Sequence, residues 1–306
     1  MTEVEVLVEG SVVVPAQLAD GAISQMPQGA VTLGSNDGEV EILGAGPAFK
    51  FRELPVDEYP QLNDPDFGEA VELDGDLLAA AVAQVSSAAS GDSARPILTG
   101  VLVEATETGT RLVATDSYRL AVRDLPGVIP PATGLIPARG LRELSKTVGS
   151  ANVRMSLGTR EAAFGSDRGT LSLRLIEGTF PNYQQLLPES YPNRVIVAKT
   201  ALLEALARAA LVAEDHIPVR LKLMEGGVEM SVTRQDVGGE AEHLPGEFSG
   251  EDDEVLIAFN PRYLADGVSS IEDDRIEIQV IDGLKPSVIR GVEARDFLYL
   301  LMPVRI

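Results

Sequence analysis

The strongest constraint in this sequence is that it repeats itself. Three segments begin a helical pattern at proline in nearly the same context: Val14-Pro15-Ala16-Gln17-Leu18, Ile136-Pro137-Ala138-Arg139-Gly140-Leu141 and Phe259-Asn260-Pro261-Arg262-Tyr263-Leu264. Leu18, Leu141 and Leu264 are spaced by 123 residues each time. A second marker, Leu54-Pro55 through Tyr59-Pro60, recurs 121 residues later as Leu175-Ile176 through Phe180-Pro181. A longer helical pattern recurs as Asp76 to Ser87 and Lys199 to Ala213. Proline suits a first helical turn, where its missing N–H has no partner to lose. Self-similarity at a domain-sized period predicts tandem repeats of one structural unit.

At 306 residues the chain holds about two and a half such periods. The expected domains are residues 1–69, 70–193 and 194–306. The first matches only the second half of a repeat, so a leading helix and first strands, on the order of 50 residues by the period, are expected to be missing from it. Short links between strands favour antiparallel pairing. Val31–Leu33 and Val40–Ile42 flank an Asp37-Gly38 turn. Val101–Glu104 and Leu112–Thr115 flank Thr108-Gly109, and Leu221–Met224 and Val228–Val232 flank Gly226-Gly227. These are hairpin signals. The expected class is α+β, each full repeat holding two helices on one face of antiparallel sheet.

Several function classes are disfavoured. There is no Cys and only two His, His216 and His243. Disulfides, thiolate sites and Cys nucleophiles are therefore ruled out, and no metal or cofactor is expected. The acidic run Asp252-Asp253-Glu254 lies in a turn-like stretch without a His, which argues against acid/base chemistry. No phosphate loop or nucleophile elbow is present. The opening MTEVEVLVEG lacks a basic and apolar leader, and no run of 18 apolar residues occurs, so a cytoplasmic chain without a membrane partner is expected. The net charge of −22 argues at first against DNA. Its distribution weakens that argument: residues 1–72 carry 14 acids and 2 bases, leaving a net of only −10 for the rest.

The residues themselves resemble a known family. Arg95-Pro96-Ile97-Leu98-Thr99-Gly100-Val101-Leu102 and Val113-Ala114-Thr115-Asp116-Ser117-Tyr118-Arg119-Leu120-Ala121-Val122 are similar to the central domain of the bacterial DNA sliding clamps, the beta subunits of DNA polymerase III. Glu177-Gly178-Thr179-Phe180-Pro181-Asn182-Tyr183 and the ending Tyr299-Leu300-Leu301-Met302-Pro303-Val304-Arg305-Ile306 match further blocks. The resemblance covers essentially the whole chain. It implies tandem clamp domains, a non-catalytic protein without cofactors, and a head-to-tail homodimer ring around double-stranded DNA without sequence preference. It also implies tethering of the polymerase III alpha subunit, the clamp loader and other proteins carrying clamp-binding motifs, within the DNA polymerase holoenzyme.

The same resemblance implies three surfaces. A peptide-binding cleft would have one wall from Leu300, Met302, Pro303, Val304 and Arg305, and another from Leu98, Thr115, Ser117, Tyr118, Arg119 and Leu120, completed by Pro181 and Leu186. Asn260, Tyr263, Leu284 and Pro286 match further cleft positions, while Gln185 and His216 stand where some relatives have Arg and Phe. Phe297 and Tyr299 read instead as members of a last buried strand. A dimer interface would use Phe49 and Phe51, which share one strand face, against Leu211 of the partner.

The third surface would face DNA. On the helix from Pro137 to Val148, Leu141, Leu144 and Val148 form an apolar stripe, and Arg139, Arg142 and Lys146 line a different face. Such a stripe is either a plain solvated face or a phosphate-facing one. Arg262 repeats Arg139, and Lys199 and Arg208 add charge from the other helix of repeat three; the helix from Pro15 has no Lys or Arg, with Ser24 and Gln25 where relatives carry basic residues. The expected function is therefore a DNA sliding clamp. The alternative is a truncated clamp-like module that keeps the cleft without closing a ring.

Overall fold

The computed structural model describes residues 4–60, 65–144, 146, 152–213, 217–235 and 237–305. Val148 and His216 lie outside the described residues. The chain divides into two compact units, residues 1–64 and 65–306.

The first unit contains helix α1 (Ala16–Ser24) and strands β1 (Thr32–Asn36), β2 (Glu39–Leu43) and β3 (Ala48–Arg52). The strands form an antiparallel sheet in the order β1-β2-β3. Asp37 and Gly38 turn the first hairpin with φ of 53° and 80°, the left-handed backbone that an Asp-Gly pair tolerates. Val40 and Ile42 are fully buried on β2, but Leu18 of α1 is 58% exposed.

The second unit begins with β4 (Val71–Leu73), α2 (Gly75–Ser86), β5 (Gly100–Ala105), β6 (Gly109–Thr115), β7 (Arg119–Pro126), β8 (Gly134–Pro137) and α3 (Ala138–Arg142). It continues through β9 (Val153–Leu157), β10 (Glu161–Gly165), β11 (Thr170–Arg174), β12 (Asn193–Ala198) and α4 (Lys199–Ala209). It ends with β13 (Val219–Met224), β14 (Gly227–Arg234), β15 (Gly238–Ser249), β16 (Glu254–Phe259), α5 (Pro261–Ser269), β17 (Arg275–Val280), β18 (Ser287–Gly291) and β19 (Phe297–Leu301). Twelve strands make one sheet in the order β16-β13-β14-β15-β12-β17-β18-β19-β7-β6-β5-β8, and a smaller sheet runs β11-β10-β9-β4. Every named pairing is antiparallel, as the short links require. The class is the expected α+β, with α2 packed on α3 and α4 on α5.

Three local expectations are refined. Pro15 and Pro137 cap their helices from an extended conformation, and only Pro261 occupies the first helical position. The helix at Lys199 ends at Ala209, four residues before Ala213. Within the helix from Pro137, Ala138–Arg142, Leu144 and Lys146 are helical; Leu141 and Leu144 are buried.

The larger correction concerns the sheet's second face. One face carries the main core with the helices: Leu112 and Ala114 of β6, Ala121 of β7, and Phe297, Tyr299 and Leu301 of β19. The alternating residues Val113, Leu120, Val122 and Leu300 form a second apolar cluster on the opposite face. Ile97, Ile176, Phe180, Leu187 and Tyr191, all from connecting segments, pack over it. The sheet is thus buried on both faces where the two repeats meet, because the 176–191 connection folds back across it.

Candidate functional site

That second cluster is the floor of the candidate cleft. Strand β19 pairs with β7 so that Leu300 lies opposite Leu120 and Leu301 opposite Arg119. Leu120 and Leu300, expected on facing walls, are therefore neighbours on one floor, 0% and 1% exposed. Beyond β19 the chain bridges the repeats: the Met302 N–H donates to the Tyr118 carbonyl at 2.9 Å, and the Val304 N–H to the Ala258 carbonyl at 2.8 Å. Met302 and Val304 are each 37% exposed along this crossing. A partly open methionine beside apolar neighbours gives an adaptable contact surface.

The turn Thr115–Arg119 shapes the adjacent rim. Asp116 Oδ1 accepts from the Tyr118 and Arg119 N–H groups at 2.9 and 3.1 Å. The Thr115 hydroxyl donates to the Arg119 carbonyl at 2.6 Å and accepts from the Ser117 N–H at 3.2 Å. Ser117 is held at φ 82°, an uncommon conformation for a residue with a side chain. The tight turn projects Tyr118 outward, 57% exposed.

Arg119 anchors the base of this rim. Its guanidinium is buried and donates to Asp116 Oδ2 at 2.9 Å, to Asp266 Oδ2 at 2.6 Å and to the Tyr299 hydroxyl at 3.4 Å. It also sits 4.4 Å from the centroid of the Tyr263 ring, which stacks at 6.2 Å on Tyr118. Tyr299 in turn donates to the Tyr263 carbonyl at 2.9 Å. Burial pushes the Tyr299 hydroxyl well above its ordinary value, so it stays a donor. This polar knot joins β7, β19 and α5. Asp116, Asp266 and Tyr299 are its members that sequence reasoning did not assign to the site. A signal existed: Asp20, Glu143 and Asp266 share the 123-residue spacing, so an acid recurs at one helical position in each repeat.

The remaining residues expected in the cleft take varied places. Asn260 caps α5, its Oδ1 accepting from the Arg262 and Tyr263 N–H groups at 3.0 and 3.1 Å. Leu98, Pro181 and Leu186 directly adjoin Ile97, Phe180 and Leu187, which pack on the floor. Leu284 is 69% exposed on the loop before β18, and Pro286 is half-buried beside Ser287, which pairs with Leu301. That loop lies against β16, since a Cβ on Gly283 would meet the Leu256 carbonyl. Pro303 is half-buried and Arg305 exposed.

The basic residues separate into two groups. Arg139, Arg142, Lys146 and Arg262 are exposed on α3, its continuation and α5. Arg142 also donates to the Ser86 carbonyl at 3.2 Å, and Lys146 pairs with Glu143 at 2.9 Å. Lys199 and Arg208 are committed elsewhere: Lys199 donates to the Ile271 carbonyl, and Arg208 makes a two-pronged pair with Glu242 at 2.8 and 3.0 Å. In the first unit Phe49 and Phe51 stack at 6.4 Å on one half-buried face of β3, opposite Ile42 and Val40. In the second unit Leu211 is 87% exposed.

The acidic run is structural. Asp252 accepts from the Asn193 side chain at 2.8 Å, and Glu254 pairs with Lys222 at 2.7 Å. Among the described residues no group of three His, Cys, Asp or Glu is arranged to hold a metal ion. No described helix is long and apolar enough to cross a membrane.

Comparison with known proteins agrees with this architecture. Residues 72–182 match the model of the DNA polymerase III beta subunit central domain, and residues 184–305 that of its C-terminal domain. The beta sliding clamp of Streptomyces coelicolor is 32% identical, the match spanning 99% of this chain and 84% of that protein. A beta sliding clamp homolog of Streptomyces muensis, GriR, is 31% identical over 97% of this chain and 82% of its own. The crystal structure of a sliding clamp from Bartonella birtlesii bound to griselimycin superposes with a TM-score of 0.91 at 26% identity, covering 100% of this chain and 84% of that one. That of Bacillus subtilis gives 0.89 at 27% identity, covering 97% and 80%. A continuous antiparallel sheet shared by two repeats, with both repeats matched in order, leaves one conclusion: the chain belongs to the DNA polymerase III beta subunit family, the beta sliding clamps.

Proposed function

We propose that this protein is a DNA sliding clamp, a cytoplasmic and non-catalytic processivity factor. It encircles double-stranded DNA as a head-to-tail homodimer and tethers the polymerase III alpha subunit, the clamp loader and other proteins through a hydrophobic cleft. The domains are residues 1–69, 70–193 and 194–306. The observation that carries the reading is the β7–β19 pairing, which brings Leu120 and Leu300 together as an apolar floor with Tyr118, Tyr263 and Met302 around it. Extended peptides dock on such floors through apolar anchors. The exposed bases Arg139, Arg142, Lys146 and Arg262 support contact with phosphates that is indifferent to sequence. The stacked Phe49 and Phe51 and the exposed Leu211 are suited to a face between protomers. Calorimetric titration with a clamp-binding peptide tests the cleft: deleting residues 302–306 should abolish binding, and unchanged affinity contradicts the assignment.

A second reading keeps the cleft without the ring. It is favoured by α1, whose Leu18 is 58% exposed while its counterparts Leu141 and Leu264 are 2% and 0% exposed. Solution mass separates the two, a dimer supporting the ring and a monomer the module.

A further inference from the structure

A polar pocket of about 400 Å³ opens between the 189–192 connection and the sheet, apart from the cleft residues. Arg194 on β12 stands opposite Ser249 of β15 and Gln279 of β17, and Arg290 on β18 stands opposite Glu277. Tyr191 and Glu189 complete the rim. Glu277, with a side chain 2% exposed, is shared by three guanidiniums: Arg194 at 3.6 Å, Arg290 at 3.5 Å and Arg295 at 2.7 Å. Gln279 also donates to it at 3.0 Å. One carboxylate cannot saturate three guanidiniums that each carry five N–H donors. The four side chains hold a net charge of +2, or +1 with Glu189 counted, on a chain whose total is −22.

One buried donor is left over: among the described residues the Tyr191 hydroxyl has no hydrogen-bond partner, while Arg290 Nε faces Glu277 at 3.5 Å without the geometry of a hydrogen bond. Burial pushes the Tyr191 hydroxyl up to about 12, with Arg290 pulling the other way, so the phenol keeps its proton at neutral pH. An unpaired buried donor beside surplus positive charge calls for an acceptor that carries negative charge. We propose that this pocket binds a small oxyanion, a phosphate or carboxylate group, held by the Tyr191 hydroxyl and the Arg194 and Arg290 guanidiniums that line it. The ring of Tyr191 packs on the cluster containing Leu120 and Leu300, so the bound anion steadies the back of the cleft floor.

The test follows the melting temperature of the full chain in rising sodium phosphate or sodium acetate against sodium chloride at matched ionic strength. A ligand that binds only the folded state raises it in a saturable way. Phosphate, acetate or both should raise it above chloride, and the stronger of the two assigns the anion class. Tyr191→Phe removes only a hydroxyl that has no partner among the described residues, and should weaken the apparent affinity several-fold; Arg290→Gln should weaken it at least tenfold. Shifts no larger than those of chloride, or shifts unchanged in both variants, overturn the proposal.

Discussion

Arg119 Nη1 donates to Asp266 Oδ2 at 2.6 Å, linking a strand of the second repeat to a helix of the third across 147 residues of chain. The same guanidinium holds Asp116 and Tyr299 and covers Tyr263. The rim of the candidate cleft and the junction between repeats are therefore one structure. Removing a partner from a buried ion pair leaves an uncompensated charge, at a cost of about 3–5 kcal/mol. Arg119→Ala should destabilise by about 3 kcal/mol in urea unfolding. Asp266→Asn should cost about 1 kcal/mol, because its side chain is 37% exposed.

Floor and rim separate by what they lose. Leu300→Ala empties a site that is 1% exposed and should cost about 2–5 kcal/mol of stability. Met302 is 37% exposed, so Met302→Ala should leave the urea midpoint nearly unchanged while weakening a clamp-binding peptide about tenfold, roughly 1.4 kcal/mol, by calorimetry.

The basic residues should differ in the same way. Arg142→Glu with Lys146→Glu should reduce loading on DNA and flatten its salt dependence, leaving peptide affinity unchanged. Arg208→Ala should have a smaller effect on loading, because Glu242 already engages that guanidinium. Filter binding across a salt series checks both.

Glu277 makes stability depend on acid. Burial raises its carboxyl, but Arg295, Arg290 and Arg194 outweigh burial and hold it below the ordinary 4.5. The folded state thus binds fewer protons than the unfolded chain. The contribution is complete above about pH 4.5 and is lost as pH falls through the lowered folded value. Urea midpoints at pH 7 and pH 3 should converge more closely in Glu277→Gln than in the parent.

The repeat was legible because the helices of the second and third copies bury their apolar stripe, so Leu141 and Leu264 kept their spacing, and Leu18 shares it although it is 58% exposed. Hairpins were legible from turn chemistry, as at Asp37-Gly38. The candidate cleft could be proposed only through family resemblance: Thr115-Asp116-Ser117 is ordinary turn composition, and nothing local says that Leu120 will pair with Leu300, 180 residues away. The second buried face escaped notice because it depends on the 176–191 connection folding across the sheet, a long-range event without periodicity. Arg119 looked like a surface contact because a lone arginine in sequence does not announce the carboxylates that bury it.

The most direct test of the clamp reading is topological. Protein assembled by a clamp loader onto closed circular DNA should stay bound in high salt and be released when the circle is cut to a linear form, as gel filtration of the two products would show. Equal retention on circular and linear DNA, or no retention on either, would contradict a ring that encloses the duplex.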